Sequence, residues 1–499
     1  MSLISPSGKF AFFNAPQGIS NFGNAQVADP QAGKWTALVV TAPAAGPVTA
    51  HFQASTTTFQ RFGTLSASSV TLPQGASKTF TLTVSTPAQP GDQAGSIILT
   101  NSAPTPAFAR VTTVPVTLRS LAPTPNPSTT FTGTLTGGNG RSPGTGQTAY
   151  YQVRIPSGLK ALNVSVNTGN PSNTLLAQLV DPRTGEGASS AFNGLLQTTS
   201  GGTTTFKPQT GAQLHVLNPR SGVWTLVVDF FNTVSGTAVA QPFTVTMNDT
   251  PVWATATRLP HSPGSKLAAG KPVTIRVRVT NSGSTPEAYF VDPRLNTQVT
   301  STLATQTTST LRLPNISGKI PVYLVPSHTS AIATRVSAKA PLFFDIAWTF
   351  GDPDLFSTIG KTATADFSSS PVAPGFWTVT PFLVGPTGTH APPPQRATVS
   401  MSATSAAFDP TVNSPTGDLW LGSTNASNGF TPYVANPGQT ITIPVTITPQ
   451  GAPGTRISGT LFLDDSSFVP GVTTFNFLPG NVPQGSDVAA FPYRYTIKK

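Results

Sequence analysis

The sequence contains no cysteine, which excludes disulfide staples, zinc–thiolate centres and cysteine nucleophiles. It is also poor in charge. Asp, Glu, Lys and Arg make up only 9% of 499 residues, so Thr, Ser, Asn and Gln must supply the polarity. Glutamate occurs only at Glu186 and Glu287, and no stretch shows an apolar period of 3.6. No apolar run approaches the length of a membrane span. Met1-Ser2-Leu3-Ile4-Ser5-Pro6 has neither the basic start nor the apolar stretch of a signal peptide. The net charge of +11 is scattered over single Lys and Arg residues, with one small group at Arg494, Lys498 and Lys499. That pattern argues against a nucleic-acid partner and for mild attraction to anionic polymers.

What is abundant suits strands and turns. The 50 Pro and 44 Gly fall between alternating apolar runs, and 30 Phe are too many for a solvated tail, so disorder is rejected. β-Branched Thr and Val fit a pleated surface. The length implies about three to five domains. The expected fold class is all-β: tandem sandwich modules, some immunoglobulin- or fibronectin-III-like and some jelly-roll-like, with little helix.

A repeat organises the chain. Gly33-Lys34-Trp35-Thr36, Gly222-Val223-Trp224-Thr225 and Gly375-Phe376-Trp377-Thr378 each place a glycine, a free position and Trp-Thr before an apolar stretch. Pro30 and Pro219 each stand five residues before their Trp, and Ile4-Ser5-Pro6-Ser7-Gly8 loosely matches Val180-Asp181-Pro182-Arg183-Thr184-Gly185. The second copy is preceded by many strand residues and the first by almost none. The expectation is that residues 1–60 are the C-terminal part of a sandwich that begins upstream; a different packing of the N-terminus is the alternative.

Periodicity divides the rest. Residues 61–122 read as an immunoglobulin-like module, with Phe80, Leu82 and Val84 on one face. Residues 123–255 read as a jelly-roll-like sandwich after a Pro/Gly-rich linker and peripheral strand at 124–146. Residues 256–300 carry immunoglobulin-like strands, with Val273, Ile275, Val277 and Val279 on one face. Residues 301–395 read as a sandwich around the third repeat, and 396–499 as a C-terminal immunoglobulin-like module containing Ile441–Ile447.

Chemistry-bearing residues are sparse. Gly140-Arg141-Ser142-Pro143-Gly144 fits Gly-x-Ser-x-Gly, but the residues before it are Thr136-Gly137-Gly138-Asn139 and Pro143 follows the serine, so a surface turn is expected rather than a nucleophile elbow. His51, His215, His261, His328 and His390 are far apart, and none has a histidine or carboxylate at metal-ligand spacing; each reads as a surface or partly buried strand residue. Asp352-Pro353-Asp354 and Asp464-Asp465 could offer oxygens to calcium, but neither has the alternating pattern of an EF-hand loop, and solvated turn acids are the default. Trp35, Trp224, Trp377, Trp253, Trp348 and Trp420 could form carbohydrate-stacking platforms, but a strand-borne Trp followed by apolar residues is more often core, so Trp35, Trp224 and Trp377 are expected in cores and Trp420 less so.

An ordered series of strings adds to this reading. It runs Tyr289-Phe290-Val291-Asp292-Pro293-Arg294, Tyr323-Leu324-Val325-Pro326-Ser327-His328-Thr329, Gly351-Asp352-Pro353-Asp354 and Pro374-Gly375-Phe376-Trp377. Phe408-Asp409, Ser414-Pro415-Thr416-Gly417-Asp418-Leu419-Trp420 and Phe491-Pro492-Tyr493-Arg494-Tyr495 complete it. In order and spacing the chain resembles, over essentially its whole length, the C-terminal non-catalytic region of large secreted bacterial subtilisin-like serine peptidases. That family carries Asp-Ser/Thr-Gly, His-Gly-Thr-His and Gly-Thr-Ser-Met-Ala motifs for its catalytic Asp, His and Ser. None occurs here, so the resemblance implies a peptidase context without peptidase activity. It assigns no catalytic, cofactor-binding or metal residue, and no cofactor. The implied partners are a catalytic subtilisin-like domain encoded upstream or separately and a cell-wall or polymeric substrate. The implied location is extracellular or at the cell surface. The alternative is a stand-alone cell-surface or carbohydrate-binding adhesin, which needs an exposed aromatic row on one face. A cryptic hydrolase would need a pocket with convergent acid, base or Ser-His groups.

Overall fold

The computed structural model describes residues 1–13, 30–40, 63–101, 111–136, 148–171, 174–185, 187–193, 195–200, 203–232, 240–262, 264–315, 320–348, 354–368, 371–384, 393–420, 430–470 and 481–498, with single residues at 25, 27, 49, 52, 54, 56 and 61. The described residues form strands and no helix, as the composition leads one to expect. The strand expected over 49–52 lies largely outside them.

Residues 122–247 hold the first of three cores. One sheet runs Gly211–Leu217, Ala161–Asn167, Ala240–Asn248, Ser128–Thr136; the other runs Gly187–Phe192, Thr174–Val180, Gly222–Asn232, Thr148–Ile155. All these pairs are antiparallel, and the order is that of an eight-stranded jelly roll. Alternation explains the burial. Leu162, Val164 and Val166 turn inward from their strand, as Ala212 and Leu214 do from theirs, while Gln213 and His215 take the outer face.

The Gly-x-Trp-Thr repeat is a repeat of geometry. Gly33, Gly222 and Gly375 have φ of 132°, 145° and 114°, a region that L side chains avoid. Each Trp Nε1–H donates to a carbonyl four residues back: Trp35 to Gln31 (2.8 Å), Trp224 to Arg220 (2.8 Å) and Trp377 to Ala373 (2.9 Å). The Thr that follows faces Ile4, Val180 and Ala347 respectively in the neighbouring antiparallel strand. A Cβ on Gly33 would meet Pro6 at 2.9 Å, and one on Gly222 would meet Pro182 at 2.8 Å, so the loosely aligned prolines occupy matching positions.

The N-terminal sheet, Phe10–Phe13, Ser2–Ile4, Thr36–Leu38, has the strand order of Gly187–Phe192, Thr174–Val180, Gly222–Asn232. Among the described residues nothing pairs with the outer edge of Thr36–Leu38 as Thr148–Ile155 does with Gly222–Asn232. Trp35, expected in a core, is only half-buried, because none of the three cores includes a described residue before Ala122. Within 61–122 the described residues form two antiparallel hairpins, Gly63–Leu65 with Leu82–Val84 and Gly91–Thr100 with Val111–Ser120.

Beyond residue 252 one module is discontinuous. Ala254–Thr257, Val273–Thr280, Thr440–Ile447 and Val412–Asn413 make one sheet. Facing it are Lys266–Ala268, Asp487–Lys498, Arg456–Pro470, Glu287–Thr302 and Tyr433–Ala435. Ile275, Val277, Val279, Ile443, Val445 and Ile447 pack on Tyr289, Val291, Leu461, Leu463, Tyr493 and Tyr495 between the two. Residues 303–408 are inserted into this module and form the main part of another core around Trp348, Phe376 and Trp377. The boundary expected at 300 falls inside the strand Glu287–Thr302, which pairs with Arg456–Pro470 on one side and Gln395–Phe408 on the other. The boundary expected at 395 falls where Gln395–Phe408 begins, and that strand belongs with Thr329–Trp348.

The repeat geometry makes Gly222→Ala costly, because the new Cβ meets Pro182 in a backbone conformation already unfavourable for alanine. The expected loss is about 2 kcal/mol in urea denaturation. Gly158→Ala, where φ is 85° but a Cβ meets nothing, is expected to lose less. Equal losses at the two positions would show that the proline contact contributes nothing.

Candidate functional site

Three buried acid and base side chains, His215, Glu287 and Asp465, converge at the joint between the jelly roll and the discontinuous module. The outer face of the strand Gly211–Leu217 is covered by the segment before Glu287–Thr302. Gln213 Nε2 donates to Thr285 O (3.1 Å) and to Thr285 Oγ1 (3.0 Å). Gly283 lets the chains close, since a Cβ there would lie 1.9 Å from the Gln213 side chain.

His215 lies at the centre. It is 5% exposed, and so is not the surface or partly buried residue expected. Across its own sheet it faces Asn163, whose Oδ1 lies 2.7 Å from His215 Nδ1. Asn163 Nδ2 donates to Asn248 Oδ1 (2.9 Å) and Thr250 O (2.7 Å), so its oxygen is the end left for the histidine. His215 Nε2 lies 2.6 Å from Glu287 Oε1, and Tyr289 OH donates to Glu287 Oε2 at 2.5 Å. With acceptors at both ring nitrogens, the histidine is held as imidazolium. Burial works to lower its pKa, but the adjoining Glu287 carboxylate overrides this and raises it to about 8.

Asp464 and Asp465 explain why there are two polar clusters. They are not solvated turn acids; both are buried in the strand Arg456–Pro470. Asp465 stands opposite Tyr289 and Asp464 opposite Phe290, so they share the faces of those residues and point to opposite sides of the sheet. Asp465 joins His215 and Glu287, and Ser486 N donates to its Oδ1 at 2.6 Å. Burial, reinforced by Glu287, pushes the Asp465 carboxyl up to about 7. Ser486 Oγ lies 2.8 Å from Ser189 Oγ, which accepts the backbone N–H of His215 at 3.2 Å.

On the other face, Asp292 accepts from Arg294 Nε (2.7 Å) and from Ser327 Oγ (2.6 Å). Asp464 has no hydroxyl or basic donor. Burial, with the nearby Asp487 and Asp292 carboxylates, raises its pKa well above the carboxylate range, and both of its oxygens are buried without a hydrogen-bond partner. His328 follows Ser327 with φ of 57°, its ring stacked on Phe462 at 3.7 Å and its Nε2 3.5 Å from Asp487 Oδ1. Asp418, N-terminal to Trp420, accepts that residue's N–H at 2.7 Å; burial, with Asp292 nearby, raises its carboxyl to about 7.

Among the described histidines, no ring nitrogen is partnered by a serine hydroxyl: Ser327 turns to Asp292, and Ser189 takes the backbone rather than the ring of His215. A cleft of about 30 Å³ adjoins the first cluster, lined by Glu287, Asp465 and Ser466 among others. This is room for about one water molecule.

Ser142, Asp352, His51 and His390 lie outside the described residues. His261 is exposed, its Nδ1 3.1 Å from Leu259 O. Trp224, Trp377, Trp348 and Trp420 are buried, which removes Trp420 as a stacking platform; Trp253 is 49% exposed beneath the Arg278 guanidinium. Nothing in the sequence links His215 to Glu287 and Asp465, which follow it by 72 and 250 positions. The nearest signal was that Glu287 is one of only two glutamates and sits beside an apolar strand.

No protein-family model matches the chain, and no curated protein matches it in sequence. Several solved structures show a distant likeness, two of them as follows. One is the M60 catalytic domain with the CBM51-1 and CBM51-2 domains from Clostridium perfringens ZmpB: 10% identity over 69% of this chain and 46% of that one, TM-score 0.14. The chain thus spans less than half of that protein. The other is PNGase F, a glycosylasparaginase from Flavobacterium meningosepticum: 9% identity over 62% of this chain and 99% of that one, TM-score 0.17. At such TM-scores neither likeness carries an argument.

The joint predicts a pH dependence. His215 and Asp465 both hold protons more tightly folded than unfolded, so the native state binds more protons and stability falls as pH rises. The His215 contribution is complete below 6.5 and is lost as pH climbs through about 8. The cost of ionising Asp465 grows from about 4 to about 7. The urea midpoint is therefore expected to fall between pH 5 and 9; a midpoint that rises across that window contradicts the assignment.

Proposed function

We propose that the chain is a non-catalytic accessory region of a secreted subtilisin-like serine peptidase, acting outside the cell or at its surface to position a catalytic domain or bind a wall or substrate polymer. The observation that carries the non-catalytic part is the closure of the joint. The acids and bases brought together there are turned on one another, beside a cleft of about 30 Å³ that admits no peptide. Their physical role is to fix the jelly roll against the discontinuous module, since a buried pair that loses one partner leaves a costly uncompensated charge. The peptidase context comes from the ordered strings of the sequence.

The purified chain is expected neither to hydrolyse casein nor to react with a fluorophosphonate serine-hydrolase probe. Labelling that maps to Ser142, Ser189 or Ser327 would sink the reading.

One observation favours the adhesin reading. Phe343 and Phe382 face each other across strands with ring centroids 5.2 Å apart, and Phe356 lies 6.5 Å from Phe343 and is 70% exposed. These three rings, not Trp420, form an aromatic row, with Phe356 and Phe382 exposed and Phe343 half-buried between them. On that reading Phe356→Ala with Phe382→Ala lowers retention on cell-wall polysaccharide at least tenfold. Equal retention of variant and parent would remove it.

A further inference from the structure

The cluster around His215 has the make-up of a ligand set. A histidine nitrogen and two carboxylate oxygens, from His215, Glu287 and Asp465, all lie within 4.8 Å of one another, and all three residues are buried. Each donor is oriented from behind. Asn163 Oδ1 takes the Nδ1–H of His215 and leaves Nε2 facing the carboxylates. Tyr289 OH holds one oxygen of Glu287, and the backbone N–H of Ser486 holds Oδ1 of Asp465. Outer partners of this kind fix the tautomer and angle of metal-binding side chains. A second observation is independent of these three. Ser466 Oγ, buried and without a hydrogen-bond partner, lines the same cleft as Glu287 and Asp465.

We propose that His215, Glu287 and Asp465 bind one divalent transition-metal ion, Zn²⁺ or Mn²⁺, with Ser466 and the cleft completing its surroundings. The donors decide the class. An imidazole suits zinc, and carboxylates suit manganese; the nitrogen donor disfavours Mg²⁺ and Ca²⁺, and the lack of a sulfur donor in the set disfavours Cu(I). Charge also balances, because one M²⁺ with two carboxylates and a neutral imidazole is a neutral centre. The 2.6 Å between Nε2 and Glu287 Oε1 is a hydrogen-bond distance. Ligands on one tetrahedral ion stand roughly 3.3 Å apart, so the ion takes the place of the Nε2 proton and spreads the pair slightly. That proton, and the one on Asp465 where it is protonated, leave to solvent. The ion would join the jelly roll, which supplies His215, to the discontinuous module, which supplies both carboxylates.

The test uses the full chain, freed of metal with a chelator and titrated by calorimetry with Zn²⁺ and separately with Mn²⁺. The expected result is one ion of at least one of the two per chain, bound at least tenfold more weakly at pH 6 than at pH 8. Asp465→Asn or His215→Gln should weaken it at least 100-fold. Anomalous scattering from crystals of the unmodified chain should place the ion between Nε2 of His215 and the carboxylates of Glu287 and Asp465, which keeps the test decisive if a variant fails to fold. No uptake of either ion, uptake unchanged in folded variants, or an anomalous peak elsewhere would overturn the proposal.

Discussion

Neighbouring residues of a strand point to opposite faces, and the polar interior of this protein depends on that constraint at one place. Asp464 and Asp465 are adjacent, buried, and sent to different sides of the strand Arg456–Pro470. One meets Asp487 and the Asp292 cluster; the other meets Glu287 and His215. Both faces of this sheet are covered here, so neither acid reaches bulk water, and each must find a proton or a cation. The buried histidine, the paired arginine and the raised carboxyl pKa values follow from that requirement.

The same constraint joins the modules. The jelly roll is satisfied internally by Leu162, Val164, Leu214 and their neighbours, but its outer face carries Gln213 and His215, which need polar partners. The segment Thr285–Glu287 supplies them. A polar joint is selective in a way that an apolar one is not, because a shift of a few ångströms leaves several groups unpaired in low dielectric. The cost of that selectivity is the pH sensitivity of the groups involved.

Much of the fold was legible because β periodicity is local. Val273 to Val279 and Ile441 to Ile447 alternate in the sequence and turn one face inward as read, although into a single core rather than the two modules expected. The Gly-x-Trp-Thr repeat was legible for the same reason: the positive φ, the indole hydrogen bond and the register of the Thr are set within a few residues. Trp35 shows the limit. Its turn matches the other two, yet its burial depends on layers that the turn does not encode, and the described residues place it outside any core.

By itself, then, the sequence determined an all-β chain, the repeated turn and strand, and the inward face of most strands, since each follows from side-chain spacing and backbone sterics over short spans. Tertiary structure alone decided which strands became neighbours. It put residues 303–408 inside a module whose two parts lie on either side of them, and it brought His215 to Glu287 and Asp465. No local rule couples positions so far apart. Pairing of that kind is chosen by the burial of whole faces and by the need of each buried charge for a partner.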